Sequence, residues 1–396
     1  MYPIPFVVSK NKSNMNIRRV ATQNVILFCL ISCLCIYYVY QYFKIEELME
    51  NIDDEFEKEM HPRMDADENS EPKPLANTVD KHLVYQPNTE VEFPTDIFSS
   101  TKIPHIIHVV FRNATIPYGF AHYPRSFYIN NPEWEFRFYT FDSGRKLIEK
   151  THPELLLSFD SWTGSPDNDE KRSNMIRHVA LYEYGGVTAD LDVDNLRSLD
   201  IATKKYGCII PPIPFEHSSV LYNFDLILST SVMLCRPKHP FFKLLLKRME
   251  IVDGDLKAFD ASGDGHITRI YIEYNNLNGT DMRKKHINAK SNSPYFYKGD
   301  REEDDEDAVY VPNTQYFTDS INPQLLNKKG TLKECSERDS LQPYLTKRAC
   351  AEFESRRELR AKRKYAFTSK FWFDIFAKHY TPRVIHIKKI IPKIIL

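Results

Sequence analysis

The chain reads as an α/β protein, and three observations predict that class. Ile103-Pro104-His105-Ile106-Ile107-His108-Val109-Val110-Phe111 is a dense β-branched run, as expected of a strand buried on both faces. Trp134, Phe136 and Phe138 alternate with Glu135, Arg137 and Tyr139, the period of a second strand. Met175, Val179 and Tyr182 then recur at helical spacing up to Gly185-Gly186, after which Val187 to Leu191 returns as a strand. Strand and helix alternating along one chain make an α/β fold.

Taken in order, the chain begins with a basic tail, residues 1–24, carrying Lys10, Lys12, Arg18 and Arg19. Val25 to Phe43 is a nearly unbroken apolar run of roughly 19 residues, about 28 Å as a helix and long enough to cross a bilayer core. Glu46, Glu47, Glu50, Asp53 and Asp54 follow it, so the positive-inside tendency places the tail in the cytosol and the rest in a lumen. The long n-region and the lack of a small-residue cleavage pattern favour an uncleaved signal anchor over a signal peptide. Residues 44–100 are acidic and proline-dotted without a sustained apolar period, and read as a stem. The folded part is expected over residues 101–396. Within it Ser143 is a candidate helix cap ahead of Leu147 and Ile148, Lys171 to Tyr184 is a predicted helix, Asp225 to Cys235 is strand-like and Pro240 to Met249 helical.

With 396 residues, 42% of them hydrophobic, the chain can bury a sizeable core. Its formal net charge of -1 provides no global field to gather nucleic acid, so no nucleic-acid partner is expected. Cys208, Cys235, Cys335 and Cys350 would face an oxidising lumen and can pair there, with connectivity left open. Asn113-Ala114-Thr115 and Asn278-Gly279-Thr280 are glycosylation acceptors in that topology.

The chemistry concentrates at Asp190-Leu191-Asp192. On a strand both carboxylates point the same way, at the strand end where α/β proteins bind ligands. Two hard oxygen donors suit Mn²⁺ or Mg²⁺, and such an ion bridges a diphosphate and neutralises charge on a departing nucleoside diphosphate. Asn174 and Arg177 share a helix face one turn apart, and the planar guanidinium fork matches phosphate and hydroxyl acceptors.

The whole composite, helix with arginine, double glycine, apolar strand and paired acids, resembles the sugar transferases of glycosyltransferase family 32. The likeness covers about Ile103 to Pro240, including Asn131-Pro132-Glu133-Trp134-Glu135-Phe136-Arg137, Lys171 to Arg177, and Met233-Leu234-Cys235-Arg236-Pro237-Lys238-His239-Pro240. The resemblance implies a GT-A-like fold behind the membrane helix, with the nucleotide on the first strands, where His108 stands. It also implies Asp192 as the metal ligand, Asp190 at ribose or sugar, and Asn174 and Arg177 toward the donor. A Golgi type II membrane enzyme is implied as well, moving a hexose with retention of configuration from GDP-mannose or a UDP-hexose to a glycan or glycolipid acceptor. Three positions depart from the family: Asn174 where an acid is usual, Thr188 where an aromatic is usual, and Thr368-Ser369-Lys370-Phe371-Trp372 where a histidine precedes the tryptophan. These departures motivate the rival reading, a catalytically inactive lumenal glycan-binding protein on the same shell.

Other metal readings are weaker. Asp190 to Ile201 lacks the glycine and glutamate of an EF-hand loop, and the closer match at Asp260 to Ile267 has Tyr271 in place of the bidentate glutamate. His105 and His108, three apart in a strand-like run, fall on opposite faces and make no zinc pair.

Overall fold

A computed structural model of the chain describes residues 87, 89–95, 100–222, 224, 226–250, 255–277, 305–322, 347–353, 365–376 and 383–396. The expected membrane span at 25–43 and the tail before it lie outside these residues, as do Cys335 and Asn278. Among the described residues no helix is long and apolar enough to cross a membrane.

The β-branched run forms β1 (Ile106–Val110), and the alternating aromatic segment forms β3 (Glu135–Tyr139). With β4 (Gly186–Ala189) these make three parallel strands, β1 in the middle. On the other side of β4 lie β7 (Val232–Cys235), antiparallel to it, and then β6 (Cys208–Ile209), giving the order β3-β1-β4-β7-β6. The α/β class is thus present as a mixed sheet with a parallel half. Every residue of β4 is buried, because both faces of the sheet are covered.

One face carries α2 (Phe141–Thr151), α3 (Pro166–Tyr184), α5 (Pro240–Met249) and α6 (Asp264–Tyr274), whose inward residues include Met175, Val179, Phe241 and Tyr271. The opposite face is closed by α1 (His122–Asn130), the segment 365–376 and the C-terminal residues Ile387, Ile391 and Ile394. The short helix α4 (Phe215–Tyr222) precedes β7. Two small ribbons complete the fold: β2 (Thr115–Pro117) with β9 (Val384–His386), and β5 (Val193–Asn195) with β8 (Thr368–Lys370).

Caps explain where the helices start. The cap of α2 is Thr140, whose Oγ accepts from the Ser143 amide while the Ser143 hydroxyl accepts from the Thr140 amide. Ser143 is therefore the third helical residue and not the cap expected of it. Helix α3 begins five residues earlier than expected, at Pro166, with Ser165 capping the Asn168 amide at 3.1 Å. It stops at Gly185 and Gly186, at φ of 65° and 102°.

One further expectation changes. Thr89–Glu92, inside the presumed stem, is a helical turn; Phe93 beside it is fully buried among Tyr316, Phe367 and Tyr206. One aromatic in a polar segment leaves no periodic signal. Cys208 and Cys235 are joined across β6 and β7, and Cys350 is disulfide-bonded too. Asn113 is exposed, its side chain accepting from the Thr115 amide at 3.0 Å.

Candidate active site

Strand β4 ends at Ala189, and Asp190 to Asp192 form the turn that carries the chain into β5. The aspartates therefore do not lie on a continuous strand. The Asp190 amide donates to Ser231 O at 2.9 Å, fixing the turn against the neighbouring edge of β7.

Arg177 comes up from α3 and is buried. Its guanidinium donates to the Asp190 carboxylate, to Asn174 Oδ1, and to Thr230 O at 2.9 Å. Asn174 in turn donates to Ser262 Oγ at 3.2 Å. The expected shared face of Asn174 and Arg177 is present, but it faces inward, where it holds Asp190 in place. Asn174 is fully buried.

The second cation was not anticipated. Lys370, on β8 opposite Val193, places Nζ 3.2 Å from Asp190 Oδ2. The same segment seals Asp192: the Phe371 amide donates to Asp192 O at 2.9 Å, and the Phe373 amide to Asp192 Oδ2 at 2.9 Å. Asp192 Oδ1 is buried with no hydrogen-bond partner among the described residues. Burial pushes the Asp192 carboxyl up to about 6, with Lys370 opposing that rise and Asp190 adding to it.

Two more acids join the cluster. Asp264, first residue of α6, accepts from the Thr230 amide and hydroxyl, each at 2.8 Å, and burial raises its pKa. It opens a helix after Gly263, so the calcium-loop reading of Asp260 to Ile267 falls away. Glu170 is exposed at the cavity, and desolvation of its carboxyl, then the charges of Asp190 and Asp264, raise it to about 7. For Lys370 burial favours the neutral amine, but Asp192, Asp190 and Asp264 outweigh it and hold the group above the ordinary lysine range.

A cavity of about 580 Å³ opens at the start of α3, lined by Ser165, Asn168, Glu170, Lys171, Lys257 and Asp374 among others. Its size is that of a small-molecule site. Glu170 links it to the charged cluster. A helix N-terminus at such a mouth contributes unpaired amides and a positive dipole end, both favourable to an anion.

His108 lies elsewhere. Fully buried in β1, it turns its ring toward Gly185 O, 2.7 Å from Nε2, with Tyr139 Oη 3.3 Å from Nδ1. Burial pushes it down to about 4, so at neutral pH Nε2–H donates and Nδ1 accepts. It clasps β1 to the end of α3, and its ring is buried there with no exposed face. Thr188 is likewise buried mid-sheet, between His108 and Met233.

The expected divalent ion finds a poor fit between the aspartates. Both oxygens of Asp190 already face cations, Arg177 and Lys370, and Asp192 offers one unpaired oxygen. Among the described residues the only set of three or more His, Cys, Asp or Glu side chains close enough to share a metal is Cys208, Cys235 and His239, and its cysteines form the disulfide.

No family model matches the chain. Inositol phosphoceramide mannosyltransferase 2 of Schizosaccharomyces pombe is 27% identical over 164 residues, 41% of this chain and 43% of the relative. Inositol phosphoceramide mannosyltransferase 3 of the same organism is 36% identical over 101 residues, 26% and 27% of the two chains. Mannosyl phosphorylinositol ceramide synthase SUR1 of Saccharomyces cerevisiae is 27% identical over 151 residues, 38% and 36%. This chain is thus similar in sequence to proteins named as mannosyltransferases, in keeping with the resemblance read in its sequence. The matches span less than half the length of these relatives. A solved structure, PaToxG Glycosyltransferase, overlaps 46% of this chain and 73% of its own at a TM-score of 0.36 and 12% identity.

Proposed function

We propose that this chain is a sugar transferase with a GT-A-like fold, moving a mannosyl group from a nucleotide sugar, GDP-mannose before any UDP-hexose, to a glycolipid acceptor. The observation that carries the reading is the charged cluster at the end of β4, Asp190, Asp192, Lys370, Arg177, Glu170 and Asp264, beside a cavity of about 580 Å³. The relatives named above support the sugar and the lipid class of acceptor. The membrane helix at 25–43, a Golgi location and a lumenal catalytic domain belong to the same proposal.

In this reading the donor's diphosphate sits at the cavity mouth, where cationic side chains offset its charge, and Asp190 meets the sugar or ribose hydroxyls. The acceptor hydroxyl attacks the anomeric carbon from the side the diphosphate leaves. The carbon–diphosphate bond breaks as the new glycosidic bond forms, and a leaving phosphate oxygen takes the hydroxyl proton. The protein positions the reactants and stabilises charge; no side-chain nucleophile is needed.

The test is incubation of the purified full-length chain with GDP-mannose, UDP-glucose or UDP-galactose, with and without inositol phosphoceramide. The expected result is slow release of nucleoside diphosphate from one donor, faster with the lipid, and lost in Asp192→Ala. Binding of a glycan without turnover of any donor would instead establish the inactive binding protein.

A further inference from the structure

We propose that the Lys370 ammonium is the cation of this site: it contacts the donor's diphosphate directly and does the work otherwise given to a divalent metal. The inference rests on the sugar-transferase reading and specifies how its site handles charge.

Three observations carry it. First, Lys370 Nζ stands 3.2 Å from Asp190 Oδ2, while Asp192 and Asp264 exert the other strong attractions on it. The ammonium is thus drawn toward the paired acids, where an oxygen-ligated ion would have to sit. Second, the position is built. Lys370 lies in the β5–β8 ribbon, whose strand register sets it opposite Val193, just past the acid pair. The Phe371 and Phe373 amides that follow it bind Asp192 on both its carbonyl and its carboxylate. Its ammonium also lies 5.1 Å from the centre of the Trp372 ring, a cation–π contact that helps fix its direction. Third, it is not sealed: its side chain keeps 17% exposure and that of Asp190 11%, against 3% for Arg177. Of the two cations on Asp190, Arg177 is walled in by Asn174 and Thr230 and serves the fold. The Lys370 side chain keeps partial exposure beside the acids.

The chemistry follows from charge. Mn²⁺ or Mg²⁺ needs several oxygens at about 2.0–2.2 Å. Here Asp190 has spent its oxygens on two cations, and a divalent ion beside Asp192 would be repelled by the ammonium. An ammonium binds phosphate as a compact point charge with three donors. As the carbon–diphosphate bond breaks, the negative charge growing on the leaving oxygen is met by Lys370.

The experiment uses the purified full-length chain, with GDP, UDP and GDP-mannose as probes, titrated calorimetrically in EDTA and again in Mn²⁺. Bound Mn²⁺ is followed separately by its electron paramagnetic resonance signal. The proposal expects binding of one of these nucleotides in EDTA, within about twofold of that in Mn²⁺, and no nucleotide-dependent Mn²⁺ uptake by the unaltered protein. Lys370→Met should weaken nucleotide binding by at least about tenfold, the loss of one charge-assisted contact, and Lys370→Arg should recover much of it. The unaltered protein already decides the matter if Lys370→Met folds poorly. Binding that appears only with Mn²⁺, or Mn²⁺ uptake driven by GDP, overturns the Lys370 assignment and leaves the transferase reading standing. No binding of any probe under either condition overturns both.

Discussion

Glu170 shows how one side chain can tune the candidate site. It lines the cavity and faces two acids, Asp190 and Asp264, and two cations, Lys370 and Arg177. With its carboxyl raised to about 7, it is largely neutral below that pH and an added negative charge above it. An anionic donor prefers the neutral form, so by linkage binding should weaken as pH rises through about 7. The loss should reach up to about tenfold, the equivalent of one pKa unit. GDP-mannose is the suitable probe, because its diphosphate has no group titrating there. Measured from about pH 5.5 to about 8.5, its dissociation constant should rise in the unaltered protein and rise less in Glu170→Gln, where the Asp192 carboxyl at about 6 still titrates. A parallel rise in both would remove Glu170 from the donor's surroundings. No sequence pattern marked this residue. It stands one place before the quoted helix start at Lys171, and its importance comes from acids 20 and 94 positions away, which only the folded chain brings near.

Elements with a strong local rule were legible in the sequence. The β-branched and alternating runs became β1 and β3, and Pro240–Met249 is a helix over the expected residues, since apolar period and capping act within a few positions. Asp225 to Cys235 was only half right. Its strand covers Val232–Cys235, because the preceding residues bond to the Pro211–Ile213 segment and Thr268, which sequence spacing does not reveal. The double glycine was read correctly as a stop, and its reason is tighter than a left-handed turn alone. A Cβ on Gly186 would lie 2.4 Å from Ile106 O in the backbone of β1, at a φ of +102°. Gly186→Ala therefore meets both an unfavourable backbone conformation and a carbonyl that cannot withdraw without disturbing the sheet. We expect a loss of more than about 1 kcal/mol in urea unfolding, together with weaker nucleotide binding because the Asp190 turn hangs from the same strand. An unchanged midpoint would mean that β1 and β4 are less tightly matched than their spacing implies.

Across the whole molecule, the site is assembled from distant parts of the chain, and this limits what a sequence reading could recover. Asp190, Asp192, Asn174 and Arg177 were found because they lie within one stretch; Lys370 is 180 positions from its partner and was noted only inside a segment that departs from the family. His108 was assigned to the nucleotide through its motif, whereas packing turned its ring inward to Gly185. The segment that brings Lys370 into place shares its apolar cluster with Ile387, Ile391 and Ile394 near the C-terminus. Phe376, shortly after β8, packs at 5.7 Å on Phe111, and Arg112 donates to its carbonyl. Farther on, Ile387 and Ile391 are fully buried, Ile394 nearly so, and Ile395 exchanges backbone bonds of 2.7 and 2.8 Å with β3. Removing residues 383–396 strips three buried isoleucines, worth about 1.5–3 kcal/mol each, and exposes the β3 edge. That sum approaches the roughly 5–15 kcal/mol that holds a typical domain together, so the truncated chain should aggregate or lose its cooperative thermal transition. Ile387→Val tests the same contact more gently, with an expected cost of about 1 kcal/mol and nucleotide binding retained. Should the truncated chain melt as sharply as the full one, the C-terminal residues would be an accessory to the fold, and the placement of Lys370 would have to rest on the β5–β8 ribbon alone.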